Sequence, residues 1–196
     1  MTKTVKLDAP GAGVPWWQRL AGKHVFLPWY CARLSWDGAR DLLRKEGQDL
    51  MRLADGRDPA DLVRPILVPP LIGLEDSSRH WSYAMVLEHL GIIGRQTGDI
   101  IAALSHGQQP TGSPLDTALL KPEGQLSGGG ALADFHAFLE EFHRGMGSDV
   151  GNRRSRARFP HPWFGPLTAR QWICFLPFHQ RIHMQQARRI LRRLPR

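Results

Sequence analysis

The sequence is short of several things. Only two cysteines, Cys31 and Cys174, occur in 196 residues. They cannot build a disulfide framework, and a reducing compartment is the default for such a chain. The first 30 residues hold no apolar run framed by a basic start and a small-residue cleavage site, which argues against a secretory signal peptide. The longest uncharged, mainly apolar run, about Pro65 to Leu74, is too short for a bilayer and is broken by prolines. The expected location is the cytoplasm, with no membrane partner. No stretch alternates apolar and polar residues convincingly over a strand's length, and there is no internal repeat. A nucleophile elbow, a phosphate loop and a dinucleotide fingerprint are all missing. Gly128-Gly129-Gly130 follows no strand and reads as a flexible lead into a helix.

What remains is a globular composition, 42% hydrophobic and 22% charged, in a length suited to one domain. A chain of this size buries a core without staples. Lys and Arg total 26 against 18 Asp and Glu, a net charge of +8. From Arg144 onward there are 12 Arg and a single acid, Asp149, so that end carries +11 and the rest −3. A basic end either engages an anionic partner such as nucleic acid or forms a solvated Arg-rich face. Arg outnumbers Lys 21 to 5 throughout, which favours the second reading.

Residues 1–34 are expected to form an irregular arm, because Pro10, Gly11, Gly13, Pro15 and Pro28 interrupt any helix. Trp16, Trp17, Phe26, Trp29 and Tyr30 make it too aromatic for a disordered tail, so it packs on the domain or on a second subunit. Residues 35–196 form the domain. A first helix is expected over 36–54 with Ser35 as N-cap and Trp36, Ala39, Leu43, Leu50 and Leu53 on one face. Residues 55–77, with four prolines, read as a loop. A second helix over 78–105 carries Tyr83, Val86, Leu90, Ile93 and Ile100 as a stripe bordered by His89. A long connection over 106–130 follows, with a short turn near 115–120. A third helix is expected over 131–144. The last, over 168–194, opens on a Thr168/Gln171 capping box and is kinked by Pro177. Four amphipathic segments with long connections predict an all-α four-helix bundle.

His179 and His183 lie four residues apart. In a helix that places both imidazoles on one side, a turn apart, which is the geometry for two ligands of one metal ion. They share a face with Trp172 and Ile190, so they point inward. His89 borders an apolar stripe on another helix and completes a three-nitrogen candidate with a fourth position open to water or substrate. A rival set, His136, Glu140 and His143, stands at i, i+4 and i+7 on the polar side of the third helix and reads as solvated or salt-bridged side chains. His24, His80, His106 and His161 fall in loops or at helix ends, and no chemistry is assigned to them. Glu88 adjoins a ligand and is a candidate base. Trp81, Trp163, Phe164 and Trp172 are candidates for an apolar pocket wall.

The segments HPWFGPLTARQWICFLPFHQRIHMQQARRIL (161–191) and WSYAMVLEHLGIIGRQTGDIIAAL (81–104) resemble the DinB-like superfamily. The closer resemblance is to the branch with a His-Pro-aromatic-Phe-Gly-x-Leu-Thr entry, a Trp and two histidines before a Gln. Together the segments cover a little over a quarter of the chain. The resemblance implies a four-helix bundle with a long crossover and one divalent ion, zinc or nickel, on His89, His179 and His183. It also implies a homodimer and a metal-dependent enzyme of the thiol-dependent S-transferase or hydrolase type, acting on a small molecule with, in some members, a low-molecular-weight thiol. Ile182 stands where many relatives have a histidine adjacent to the last ligand. The alternative is a non-catalytic helical module whose basic end binds an anionic partner.

Overall fold

The computed structural model describes residues 6–110, 118, 120–147 and 150–194. Four long helices make the body: α3 (Trp36–Arg52), α5 (Tyr83–Ser105), α6 (Gly128–Gly145) and α7 (Ala169–Leu191). Ahead of them lie α1 (Trp16–Ala21), a π-helical segment (Gly22–Phe26) and α2 (Leu27–Arg33); α4 (Pro59–Leu62) is a single turn. Two small antiparallel sheets complete the chain. One pairs β1 (Ile66–Leu67) with β2 (His80–Trp81), and the other is a hairpin of β3 (Arg158–His161) and β4 (Gly165–Thr168).

The long helices start where hydroxyl side chains close their first turns. Ser35 accepts from Gly38, Ser82 from Met85 and Ser127 from Gly130, while Thr168 and Gln171 form the expected capping box. In the bundle α3 packs on α6 and α7, and α5 packs on the same two helices, so α3 and α5 lie on a diagonal. Side-chain ties give the directions. Arg170 reaches the carbonyls of Cys31 and Leu34, and Arg181 pairs with Glu46, so α3 and α7 run parallel. Arg44 pairs with Glu140 and His143 with Asp41, so α6 runs against α3. Gly91 lies against Asp134, Gly94 against Phe138 and Gly98 against Phe142, so α5 and α6 are parallel neighbours. Parallel neighbours demand a connection that returns along the bundle, and residues 106–127 supply that crossover. Trp172, Tyr83, Phe135 and Phe138 are among the largest fully buried side chains between the helices. Each such side chain contributes about 1.5–3 kcal/mol of burial.

Several sequence expectations are corrected. The N-terminal arm is helical from 16 to 33, not irregular. Pro15 sits at the N-cap of α1 and Pro28 in the first turn of α2, where no backbone N–H donor is needed. Leu27 and Tyr30 are buried, and α2 packs on α7, so the arm does lie on the domain. The second helix begins at Tyr83 rather than 78, because 80–81 pair with 66–67 as strands. Strands exist where none was expected. The third helix begins at Gly128: Gly128 lies so close to Pro59 and Leu62 that a side chain there would collide with them. The glycines are therefore its first turn, not a flexible lead. The last helix continues through Pro177. Most of the short turn expected near 115–120 lies outside the described residues. The two thiols are free. No described helix is long and apolar enough to cross a membrane.

Candidate metal centre

His89 lies in the second turn of α5, and His179 and His183 lie in consecutive turns of the middle of α7. Because α5 and α7 are packed neighbours, the three rings meet between them. Their centroids are 4.7 Å apart for His89 and His183, 5.3 Å for His89 and His179, and 4.6 Å for His179 and His183. One ring nitrogen from each lies within 4.8 Å of the others, so the group can hold one metal ion.

Hydrogen bonding fixes which nitrogens face inward. Nδ1 of His89 donates to the carbonyl of Leu120 at 2.8 Å, on the described end of the crossover. Nδ1 of His183 donates to Oε1 of Gln186 at 2.8 Å, and Gln186 Nε2 in turn donates to the Ser78 carbonyl at 2.7 Å. Carbonyl oxygens only accept, so both imidazoles keep the Nε2 lone pair free. Such outer bonds orient metal-binding imidazoles and raise their basicity. Trp81 stacks on His183 at 5.8 Å with planes 9° apart and stands 5.0 Å from His89, restraining both rings.

The histidines are neutral. Burial lowers His89 from its ordinary value to about 4, with Lys121 adding repulsion while the Leu120 carbonyl opposes the shift. His179 and His183 are likewise pushed well down, first by burial and then by the neighbouring imidazoles. Converging lone pairs of three neutral imidazoles, His179 having no hydrogen-bond partner among the described residues, match the donor set of a divalent ion of borderline softness.

The cavity at the histidines has a volume of about 70 Å³. Two residues that sequence reasoning missed stand in its wall. Glu75 is buried; its Oε2 accepts from Lys121 at 2.6 Å, and its Oε1 has no partner. Lys121 also donates to Ser77 and Ser78, so the ammonium is fully engaged. His161, at the end of β3, is buried, and its Nδ1 accepts from the Trp163 amide at 3.1 Å. The proton therefore sits on Nε2. Burial lowers His161 to about 3, so it stays a neutral donor. Its ring stacks on Phe164 at 4.5 Å and leans on Phe175 and Trp172. The signal for His161 was in the motif that carried the family resemblance; Glu75 had none, since its place depends on how the 71–78 loop folds back.

The other sequence candidates fall as follows. Trp81 backs the histidines, and Trp163 lines the cavity. Phe164 and Trp172 support His161 from behind. Glu88 accepts from the amides of Glu123 and Gly124 and holds the crossover rather than facing the cavity. In the α6 set, Glu140 pairs with Arg44 and His143 with Asp41 on the surface. Among the described C-terminal arginines, Arg153 pairs with Asp37, Arg170 reaches the arm, and Arg181 pairs with Glu46 and Tyr30.

No protein-family pattern matches the chain, and no curated protein matches it. Among solved structures it is similar to the crystal structure of TT2238, described as a four-helix bundle protein. That likeness has 24% identity and a TM-score of 0.49, over 79% of this chain and 98% of that one.

Proposed function

We propose that the protein is a metalloenzyme of DinB-like type, with His89, His179 and His183 holding one divalent ion, zinc or nickel. The observation that carries this reading is the meeting of three buried neutral imidazoles, two of them with Nδ1 already bonded and Nε2 turned to a common point. An ion held by three protein ligands keeps a position open and supplies Lewis-acid activation of a water or thiol there. That chemistry serves either thiol-dependent S-transfer or hydrolysis of a small molecule.

The chain's own residues complete the site. The unpartnered Oε1 of Glu75 accepts a proton or hydrogen bond from the group being activated, and Lys121 holds the carboxylate in place. Nε2–H of His161 donates to a developing negative charge on the substrate. Trp81, Trp163 and Phe175 exclude water from the space around them. Glu88, the base expected from sequence, is replaced in that role by Glu75.

The deciding experiment is elemental analysis of the untagged protein beside His89→Ala. About one ion per chain, lost in the variant, is the expected result, as three-histidine sites bind with one ion. Wild-type protein that stays metal-free after incubation with excess ion and dialysis would leave the non-catalytic module as the better reading.

A further inference from the structure

The space at the histidines is too small for more than an ion and a small reacting group. A water takes roughly 30 Å³ of liquid volume, against a cavity of about 70 Å³. The bulk of any substrate must lie elsewhere. A second cavity, of about 280 Å³, adjoins the first and shares Gly73, Trp163, Phe175 and His179 as wall residues. It runs between the N-terminal helices and α7, and Gln18 fixes its edge by accepting from the Gly73 amide at 2.7 Å.

The walls specify the occupant. No residue with a formal charge lines the groove; its polar side chains are Gln18, Gln185 and His179. Trp17, Phe26, Trp163, Phe164, Phe175 and Phe178 supply six aromatic rings. Phe26 stacks on Phe178 at 6.1 Å, yet Phe26 is 45% exposed, and Ile72 at the mouth is 70% exposed. Large apolar side chains gathered around an open groove mark a binding surface. Its volume is near the roughly 300 Å³ lower end of ligand pockets, and an apolar cavity of about 150 Å³ already takes up benzene.

We infer that this groove binds an uncharged aryl group of the substrate, delivering the reacting end to the histidine cavity. Aromatic walls favour a flat ring by offset and edge-on contacts, and the lack of charge excludes an ionic tail, which would lose its hydration without a partner. The substrate class is therefore an aryl-bearing small molecule whose reactive head, not its tail, is polar. The inference rests on the proposed metal centre for the direction of the substrate but not for the binding of the aryl group.

The test uses the full chain and N-phenyl-1-naphthylamine, a neutral aryl fluorophore. Saturable binding of one dye per chain is expected in both metal-free and zinc-loaded protein. Phe26→Asp should weaken it by about tenfold or more, because it places a charge in the groove. Trp29→Asp, on the same arm but outside the groove, should leave it within about twofold, as surface changes usually do. Ile72→Asp, at an exposed position, repeats the test should Phe26→Asp fail to fold. In cobalt-loaded protein, aceto-, benzo- and naphthohydroxamate read through the visible spectrum should bind in rising order, and Phe26→Asp should flatten that order. Equal weakening by Trp29→Asp, non-saturable uptake, or flat hydroxamate affinities with cobalt still bound would overturn the groove alone. So would a wild-type dimer that excludes the dye and dissociates in Phe26→Asp, since a second copy would then cover the groove. Dye binding without any metal binding would sink the metal-centre reading and leave the groove standing.

Discussion

Helices α6 and α7 each carry two histidines on one side, and the two sets have opposite fates. On α6, His143 meets the carboxylate of Asp41 and Glu140 takes both guanidinium donors of Arg44, with solvent beside them. On α7, His179 and His183 face a third histidine, and the carboxylate in the cavity wall, Glu75, is tied to Lys121. The pairs are seven residues apart on α6 (His136, His143) and four apart on α7, and either spacing puts both rings on one side, so sharing a helix face does not distinguish a candidate ligand set from a surface ladder. The partner across the interface does. On α6, a carboxylate answers His143 and a cation answers Glu140. On α7 neutral donors face neutral donors, a group that could hold a cation.

The largest effect separates the two sets directly. His183→Ala should take bound metal from about one ion per chain to none, while His143→Ala keeps it, because three ligands are the usual minimum for a held zinc. Elemental analysis with far-ultraviolet circular dichroism reads both metal and helix content. Loss of the ion in both variants would erase the contrast.

Acid should come next. In the folded, metal-free protein His89 is lowered to about 4 and His161 to about 3, below the ordinary 6.5. Above 6.5 neither state takes up protons and the contribution of these neutral imidazoles to stability is complete. As pH falls below 6.5 the unfolded chain binds protons that the folded chain refuses, so stability declines and levels off only below the folded values. Each such histidine contributes a slope of up to about 1.4 kcal/mol per pH unit. Urea denaturation of wild type and His161→Gln between pH 7.5 and 4.5 measures it. A variant as acid-sensitive as wild type would remove His161 from this role. Metal should also leave as acid protonates its ligands.

A subtler change lies behind the ligands. Gln186→Leu removes the link from His183 Nδ1 to the Ser78 carbonyl. Loss of such an outer partner costs about 10–100-fold in metal affinity, which competition with a chromogenic chelator reports. Unchanged affinity would show that packing by Trp81 alone orients the ring.

The same contrast explains what the sequence made legible. Ser35 and Thr168 announced their helices because capping is local, and the four apolar stripes announced the bundle. The histidine triad could be found because two ligands share a helix face and the third borders a stripe. Glu75 and His161 could not be singled out in that way. Each reaches the cavity through a turn or hairpin whose path is set by the bundle beneath it. Pro15 and Pro28 read as breakers, yet both occupy helix starts, where proline fits. Gly128–Gly130 read as a linker, although Ser127 caps that turn and α4 packs so closely that a side chain at Gly128 would collide.

The smallest effect belongs to the answered charges on α6. Arg44 and Glu140 form a two-pronged contact at 2.9 and 2.7 Å between α3 and α6, with both side chains partly open to water. Water screens such a pair, and holding two long side chains together opposes the gain. Arg44→Ala should lower stability by only about 0.2–1 kcal/mol, less at high salt. Thermal unfolding in low and high salt reads this, and metal content should not change. A loss as large as that of a buried contact would mean that the α6 surface set, not only the α7 set, helps hold the bundle around the metal centre.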